Sequence, residues 1–174
     1  MFRVSALVGV VSLCAACSSG PSGPPRKEVQ PAASAALAAG IYKEANAYRK
    51  SMGKSGLPRH AGLDAMAKRH SQAMLARGKR NHDGFGSRSD ESAVRYGMGA
   101  VAENVLDWHG SAPSAGAMMR VWIDSSGHRK NLQGEWSATG IGVARDDQGG
   151  TWATQIFAAK TAPGAHGGGN PTAW

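Results

Sequence analysis

The chain has 174 residues, with 20 lysines and arginines against 12 acids, a formal net charge of +8 and only two cysteines. That length suits a single domain whose core can do without disulfides, since a fold of this size buries about two-thirds of the surface its unfolded chain exposes. The cations are scattered, as in KRHSQAMLARGKR, with none of the aromatic interleaving of single-strand binders. This argues against a nucleic-acid partner, and leaves either a solvated surface or a weak attraction to anionic envelope polymers and lipid headgroups.

Residues 1–16 have the form of an export leader. Arg3 is a minimal positive region, and Val4 to Leu13 is an apolar run too short to span a bilayer as a helix. Small residues follow in LCAAC, where Ala15 and Ala16 before Cys17 resemble the lipobox of bacterial lipoproteins, cut before a cysteine that is then lipidated. Cys14 departs from that pattern, so ordinary cleavage after a small residue is the alternative. On the first reading Cys17 is a lipid anchor to a membrane. Ser18 after it points by sorting analogy to the periplasmic face of the outer membrane in a Gram-negative organism. Residues 17–31, with SSGPSGPPRKEVQP after the anchor, offer nothing to bury and read as a tether. The tail 161–174 is similar in composition and is expected to fray. One domain remains, over residues 32–160, expected to be monomeric.

Within it, Leu37, Ile41, Ala45 and Tyr48 recur at helical spacing, and Gly53 is a plausible stop. A second helix is expected over 62–78, with Leu63, Met66, Ala67, His70 and Met74 on one stripe, where His70 reads as a core histidine. Residues 79–98 are rich in Gly, Ser, Asn and Asp and read as an irregular loop of the kind that is functional or disordered. GAVAENVLDW suits a short strand through Val101 and Val105. Ser111-Ala112-Pro113 suits a helix start, with Met118, Val121 and Trp122 as its buried side. This helix should stop at Ser125. Beyond residue 134 the period becomes two, and ATGIGVARD and TWATQIFAAK around DDQGG predict a β-hairpin. Helices followed by an antiparallel hairpin imply an α+β fold, with helices covering a small sheet.

Three polar residues stand at junctions between elements: His82 in RNHDGF, Glu103 in GAVAENV and His128 in SSGHRKNL. Two imidazoles and a carboxylate are able to bind a divalent metal or to form an acid–base set, but from the residues alone structural histidines with a loop-tying glutamate are the favoured reading. Spacing does not choose among these.

The segments ANAYRKSMGKSGLP, AKRHSQAM, NHDGF, AENV, VWIDSSGHRKNL and TGIGVARDDQGGTWATQIF occur in the order and approximate spacing of the bacterial branch of the CAP superfamily. That superfamily holds the cysteine-rich secretory proteins, antigen 5 and the pathogenesis-related proteins, and the resemblance covers residues 41–158. It implies a three-layer α-β-α sandwich around a small, mainly antiparallel sheet. It also implies a cleft with two histidines and two acids that takes a divalent cation in some members. Carried over by position, His82 and His128 match the histidines and Glu103 the acid of the EN motif. Ser125 stands where the second acid would be. A further departure is the short stretch between Leu57-Pro58 and His70. Zn²⁺ would suit the two imidazoles, with Glu103 as direct ligand or outer partner, and Asn131 would fix the neighbouring loop.

Three functions follow as expectations. The first is recognition of an envelope lipid, glycan or protein through the cleft. The second is cleavage of peptidoglycan glycan strands with Glu103 as one carboxylate and Asp83 or Asp124 as the other. The third is a peptidase using Ser125 near His128, without an oxyanion motif to accompany it.

Overall fold

The computed structural model describes residues 26–160. The leader, Cys17, most of the tether and the tail 161–174 lie outside the described residues. Helix α1 (Pro31–Ser51) begins with proline at a position where its missing N–H leaves no bond unmade, and turns Ala38, Ile41 and Ala45 inward. Helix α2 (Ala61–Arg77) is capped by the His60 ring, which accepts from the Leu63 N–H, and closes at Gly78 in the left-handed region. Helix α3 (Phe85–Tyr96) is followed by strand β1 (Ala100–Trp108), helices α4 (Ala115–Asp124) and α5 (Ser126–Gln133), and the hairpin β2 (Ala138–Arg145) and β3 (Thr151–Ala159). No described helix is long and apolar enough to cross a membrane.

Three expectations are corrected. The segment expected to be irregular contains α3, a regular helix of 12 residues. Its inward positions are Phe85 and Ser92, with Arg88 between them, so it lacks the apolar stripe that marks a helix in sequence. The cap of α4 is Ser114, whose hydroxyl accepts from the Ala117 N–H at 3.1 Å, rather than Ser111. Val121 is 39% exposed, and Met119 takes its place on the buried side.

The sheet is antiparallel in the order β1-β3-β2. One face carries Ala102, Leu106, Ile141, Val143, Ala153 and Phe157 against α1, α4 and α5. The other carries Val101, Val105, Ala144, Trp152 and Ile156 against α2 and the start of α3. Helices on both faces of a three-stranded sheet make the α-β-α sandwich of an α+β fold. Gly140 and Gly142 let α2 lie directly on β2: a Cβ at Gly142 would sit 2.1 Å from the Lys68 nitrogen.

Both outer strands are edges, and their free backbone groups are taken up locally. On β2, the Thr139 N–H donates to Pro58 O and Thr139 O accepts from the His60 N–H, each at 3.0 Å. The Ile141 N–H donates to Asp64 Oδ1 at 2.8 Å, and Val143 O accepts from Lys68 Nζ at 2.6 Å. The Val29 N–H donates to Arg145 O at 2.8 Å. On β1, Trp122 Nε1 and Asn131 Nδ2 donate to the carbonyls of Val105 and Glu103. The end of the segment expected to be a tether thus lies on the domain. Arg26 pairs with the buried Asp146 at 2.6 Å and covers the Trp152 ring, and Glu28 accepts from Lys68 and Gln72.

The glycine contacts set opposite outcomes for one substitution. Gly142→Ala drives a methyl into the α2 backbone and is expected to cost about 1–3 kcal/mol by overpacking. Gly86→Ala, in α3 with nothing within 4 Å, should stabilise by about 0.5–1 kcal/mol. Chemical denaturation of both variants checks this, and equal effects would contradict the close approach.

Candidate functional site

Successive side chains of a strand point to opposite faces, so Glu103 and Asn104 on β1 serve two different layers. Glu103 faces α2 and α3 and is 1% exposed. Arg88 grips its carboxylate with both arms, Nε to Oε2 at 2.7 Å and Nη2 to Oε1 at 2.8 Å. His82 Nδ1 lies 2.9 Å from Oε1, and since an ionised carboxylate only accepts, Nδ1 is the donor. His70 Nε2 donates to Asn81 O at 2.9 Å and stands 3.6 Å from the same Oε1. Arg88 Nη1 also donates to Asp83 O at 2.8 Å, fixing the turn that carries His82.

Asn104 faces the other way. Its Nδ2 donates to His128 O at 3.1 Å, and its Oδ1 accepts from Asn131 Nδ2 at 2.9 Å. Asn131 therefore clamps α5 to β1. His128 is 8% exposed, and its Nδ1 is buried without a hydrogen-bond partner. The site straddles the outer edge of β1, with His82, His70 and Arg88 on one side and His128 on the other. Ser125 is the joint where α4 ends and α5 begins: its carbonyl accepts from the Arg129 N–H at 2.8 Å and its hydroxyl makes no capping bond. The helix stops where the sequence indicated, but a second short helix resumes at once and carries His128.

The electrostatics follow from this geometry. Burial alone would raise the Glu103 carboxyl, but the His82 bond and the Arg88 guanidinium outweigh it and hold the group below its usual range. Burial pushes the His128 imidazole down to about 4, helped by the positive fields of His82 and Arg80. Burial also lowers His70, against the pull of Glu103.

Sequence reasoning singled out His82, Glu103 and His128 but not Arg88, and it read His70 only as a core residue. The positions offered one signal: Phe85, Arg88 and Ser92 are spaced as one face of a helix. Beside the network, α2 and α3 enclose a cleft of about 310 Å³ lined by His70, Arg77, Asp83, Ser87, Arg88 and Glu91 among others.

The expected Zn²⁺ fits this donor set poorly. Both oxygens of Glu103 already face a guanidinium, whose charge a cation would have to displace, and Glu103 and the two imidazoles were the only expected ligands. Among the described residues, no group of three or more His, Cys, Asp or Glu is arranged to hold an ion.

The imidazoles give the fold an acid-sensitive range. An unfolded histidine takes up its proton near 6.5, whereas folded His128 does so only near 4. Between those values the unfolded chain binds more protons, so folding stability falls as pH drops. His128 alone should remove about 2 kcal/mol between pH 6.5 and pH 5, and His70 acts in the same direction. The lowered Glu103 carboxyl withdraws its contribution only at more acidic pH, as it protonates. Urea midpoints at pH 7 and pH 5 measure the loss, which should shrink in His128→Gln. Equal pH dependence in both proteins would contradict a buried neutral imidazole.

Comparison with known proteins agrees with this architecture. Residues 42–157 match the model of the cysteine-rich secretory protein family, CAP. An extracellular protein of Bacillus anthracis with an SCP domain is similar at 26% identity and a TM-score of 0.63, over 80% of this chain and 45% of that one. An outer surface protein of Borrelia burgdorferi shares the fold at 14% identity and a TM-score of 0.64, over 78% of this chain and 99% of that one. A cysteine-rich secretory protein of Staphylococcus aureus does so at 22% identity and 0.59, over 73% and 39%. The chain spans less than half the length of the Bacillus and Staphylococcus proteins. No curated protein matches it. With the family model covering most of the domain, the chain belongs to the cysteine-rich secretory protein (CAP) family.

Proposed function

We propose that this CAP protein is exported, is held to the envelope through a lipidated Cys17, and uses its cleft to recognise an envelope ligand without cleaving it. The leader-like residues 1–16 support export, as does the likeness to an extracellular SCP-domain protein. The observation that carries the cleft reading is the double grip of Arg88 on Glu103. A glycosidase needs one carboxyl protonated at working pH to donate to the leaving oxygen, with a second carboxylate opposite. Glu103 is instead held ionised. Of the acids available as its second, Asp83 is 67% exposed and engaged by Arg77 on the rim, and Asp124 ends α4 facing solvent. A peptidase at Ser125 has no better support, because no hydrogen bond joins its hydroxyl to either ring nitrogen of His128.

The cleft is lined by both signs of charge. Arg69 pairs with Glu91 at 2.8 Å and Arg77 with Asp83 at 3.1 Å, and all four residues border the opening. Exposed pairs of this kind are weak and open readily. They offer donors and acceptors to a polar ligand, such as a glycan strand or a zwitterionic headgroup, more naturally than to a bare acyl chain.

Two experiments address this reading. Purified protein is incubated with peptidoglycan or with zwitterionic lipid vesicles, with and without Zn²⁺, then sedimented, and any released fragments are analysed by mass. Binding to one of them without release is expected, and Ser87→Trp, which fills the cleft, should weaken it by about tenfold or more. Fragment release that disappears in Glu103→Gln would sink the recognition reading. Separately, Cys17→Ser should shift the protein from the detergent phase to the aqueous phase on partitioning. An unchanged distribution would mean the anchor lies elsewhere.

A further inference from the structure

Among the described residues, three buried side chains are ordinarily ionised: Glu103, Asp146 and Arg49. The two acids each have a guanidinium at close range, Arg88 at 2.7 Å and Arg26 at 2.6 Å. Arg49 is 2% exposed, and no acid among the described residues lies within 4 Å of it. Its Nε donates to Ser55 O at 2.9 Å, and Nη1 donates to Leu132 O at 2.8 Å and Gly134 O at 2.9 Å. These bonds tie the end of α1 to the loop that follows it and to the C-terminal end of α5, and they use three donor directions. Carbonyls and the C-terminal dipole of α1 offset part of the positive charge, but they do not neutralise it. Nη2 makes none of these bonds.

Arg49 lines a polar pocket of about 520 Å³ together with Lys54, Ser55, Gly56, Glu135 and Trp136. Lys54 adds a second cation. Its partner is Glu135, whose side chain is 86% exposed, so the acid reaches in from solvent. Trp136 is fixed by its Nε1 bond to Asn131 O at 2.7 Å and by the Phe157 ring 5.9 Å away, yet it stays half-buried and presents an apolar wall. The pocket therefore combines a rigid, under-neutralised guanidinium, a half-buried ammonium and an aromatic surface. Glu135 is the chain's own carboxylate at its mouth.

We propose that this pocket is an oxyanion-binding site, in which a carboxylate or phosphate of the ligand pairs with Arg49 and Lys54 and displaces Glu135. A planar fork and a point charge together suit either anion, and Trp136 packs against whatever carries it. The site is separate from the cleft beside Glu103 and does not depend on how that cleft functions.

The test titrates the full chain with inorganic phosphate and, separately, with acetate, at constant ionic strength maintained by chloride. The Trp136 indole and Arg49 Nε–H resonances are followed by NMR. Saturable shifts in at least one titration are expected, and the anion that saturates at lower concentration identifies the preferred chemistry. Arg49 itself joins α1 to the end of α5, so the variants are placed on the surface pair. Lys54→Ala should weaken binding about fivefold, the upper range for a partly exposed charge pair. Glu135→Gln should tighten it about threefold by removing the competing carboxylate. No saturable shift with either anion, or equal affinities in wild type and both variants, would overturn the proposal.

Discussion

A carboxylate buried on a strand under a helical layer must be neutralised where it sits, and the burial of Glu103 on β1 organises the layer above it. The counter-charge comes from Arg88, which can reach Glu103 only if residues 85–96 are helical and lie against β1. Beside this bond, α3 is anchored by the Phe85 ring, by Tyr96 against the His60 ring, by the Arg69–Glu91 pair and by the Ser92 hydroxyl, which donates to Met98 O at 2.7 Å. Of these contacts, the Arg88–Glu103 pair is the one that joins the middle of α3 to a buried charge on β1. Arg88 in turn holds the carbonyl of Asp83, and with it the turn that presents His82 to the same carboxylate. Breaking a buried pair from one side leaves a charge without solvent or partner, typically at a cost of about 3–5 kcal/mol. Helix, turn and imidazole thus share one electrostatic constraint.

The neighbouring residue extends the constraint through the sheet. Because Glu103 and Asn104 point to opposite faces, a single dipeptide links the α2–α3 layer to α5. The carboxylate gathers side chains, while the amide gathers backbone and amide groups, His128 O and Asn131. Asn131 also reaches the free carbonyl of Glu103, so the strand edge that could pair with another chain is occupied. On the far edge, Asp64 and Lys68, one turn apart on α2, serve β2 in the same way. A sheet of only three strands has two edges for one interior strand, and side chains from the covering helices do the work of further strands.

What the sequence disclosed follows the nature of each contact. Apolar periodicity marked α1, α2 and the hairpin, because their buried faces are made of Ile41, Leu63, Met66, Ile141 and Val143 and leave a pattern. It failed for α3, whose inward face is held by Arg88 and Ser92. A polar stripe with Gly and Ser around it looks like a loop until its partner across the fold is known. His70 was placed correctly on an apolar face, yet its ring touches the network, since a face can be apolar along most of its length and polar at one contact. Glu103, His82 and His128 were legible through the order of short motifs, not through spacing. Arg88 was not among those motifs, and together with the His82 bond it holds the acid ionised.

That protonation state bears on what the cleft can do. A general acid must hold a proton at working pH and release it in the transition state, which calls for a carboxyl raised by burial and left without cations. Glu103 has the burial, but both its oxygens are already taken by donors from Arg88 and His82. To accept or deliver a proton it would have to break one of these bonds, and to bind a metal directly it would have to release the guanidinium. Rigid, fully paired groups of this kind lower the ordering cost of binding, because the surface they support does not need to be assembled when a ligand arrives. The same network that makes Glu103 a poor proton donor therefore leaves the cleft wall beside it pre-organised, as the proposed recognition role would require.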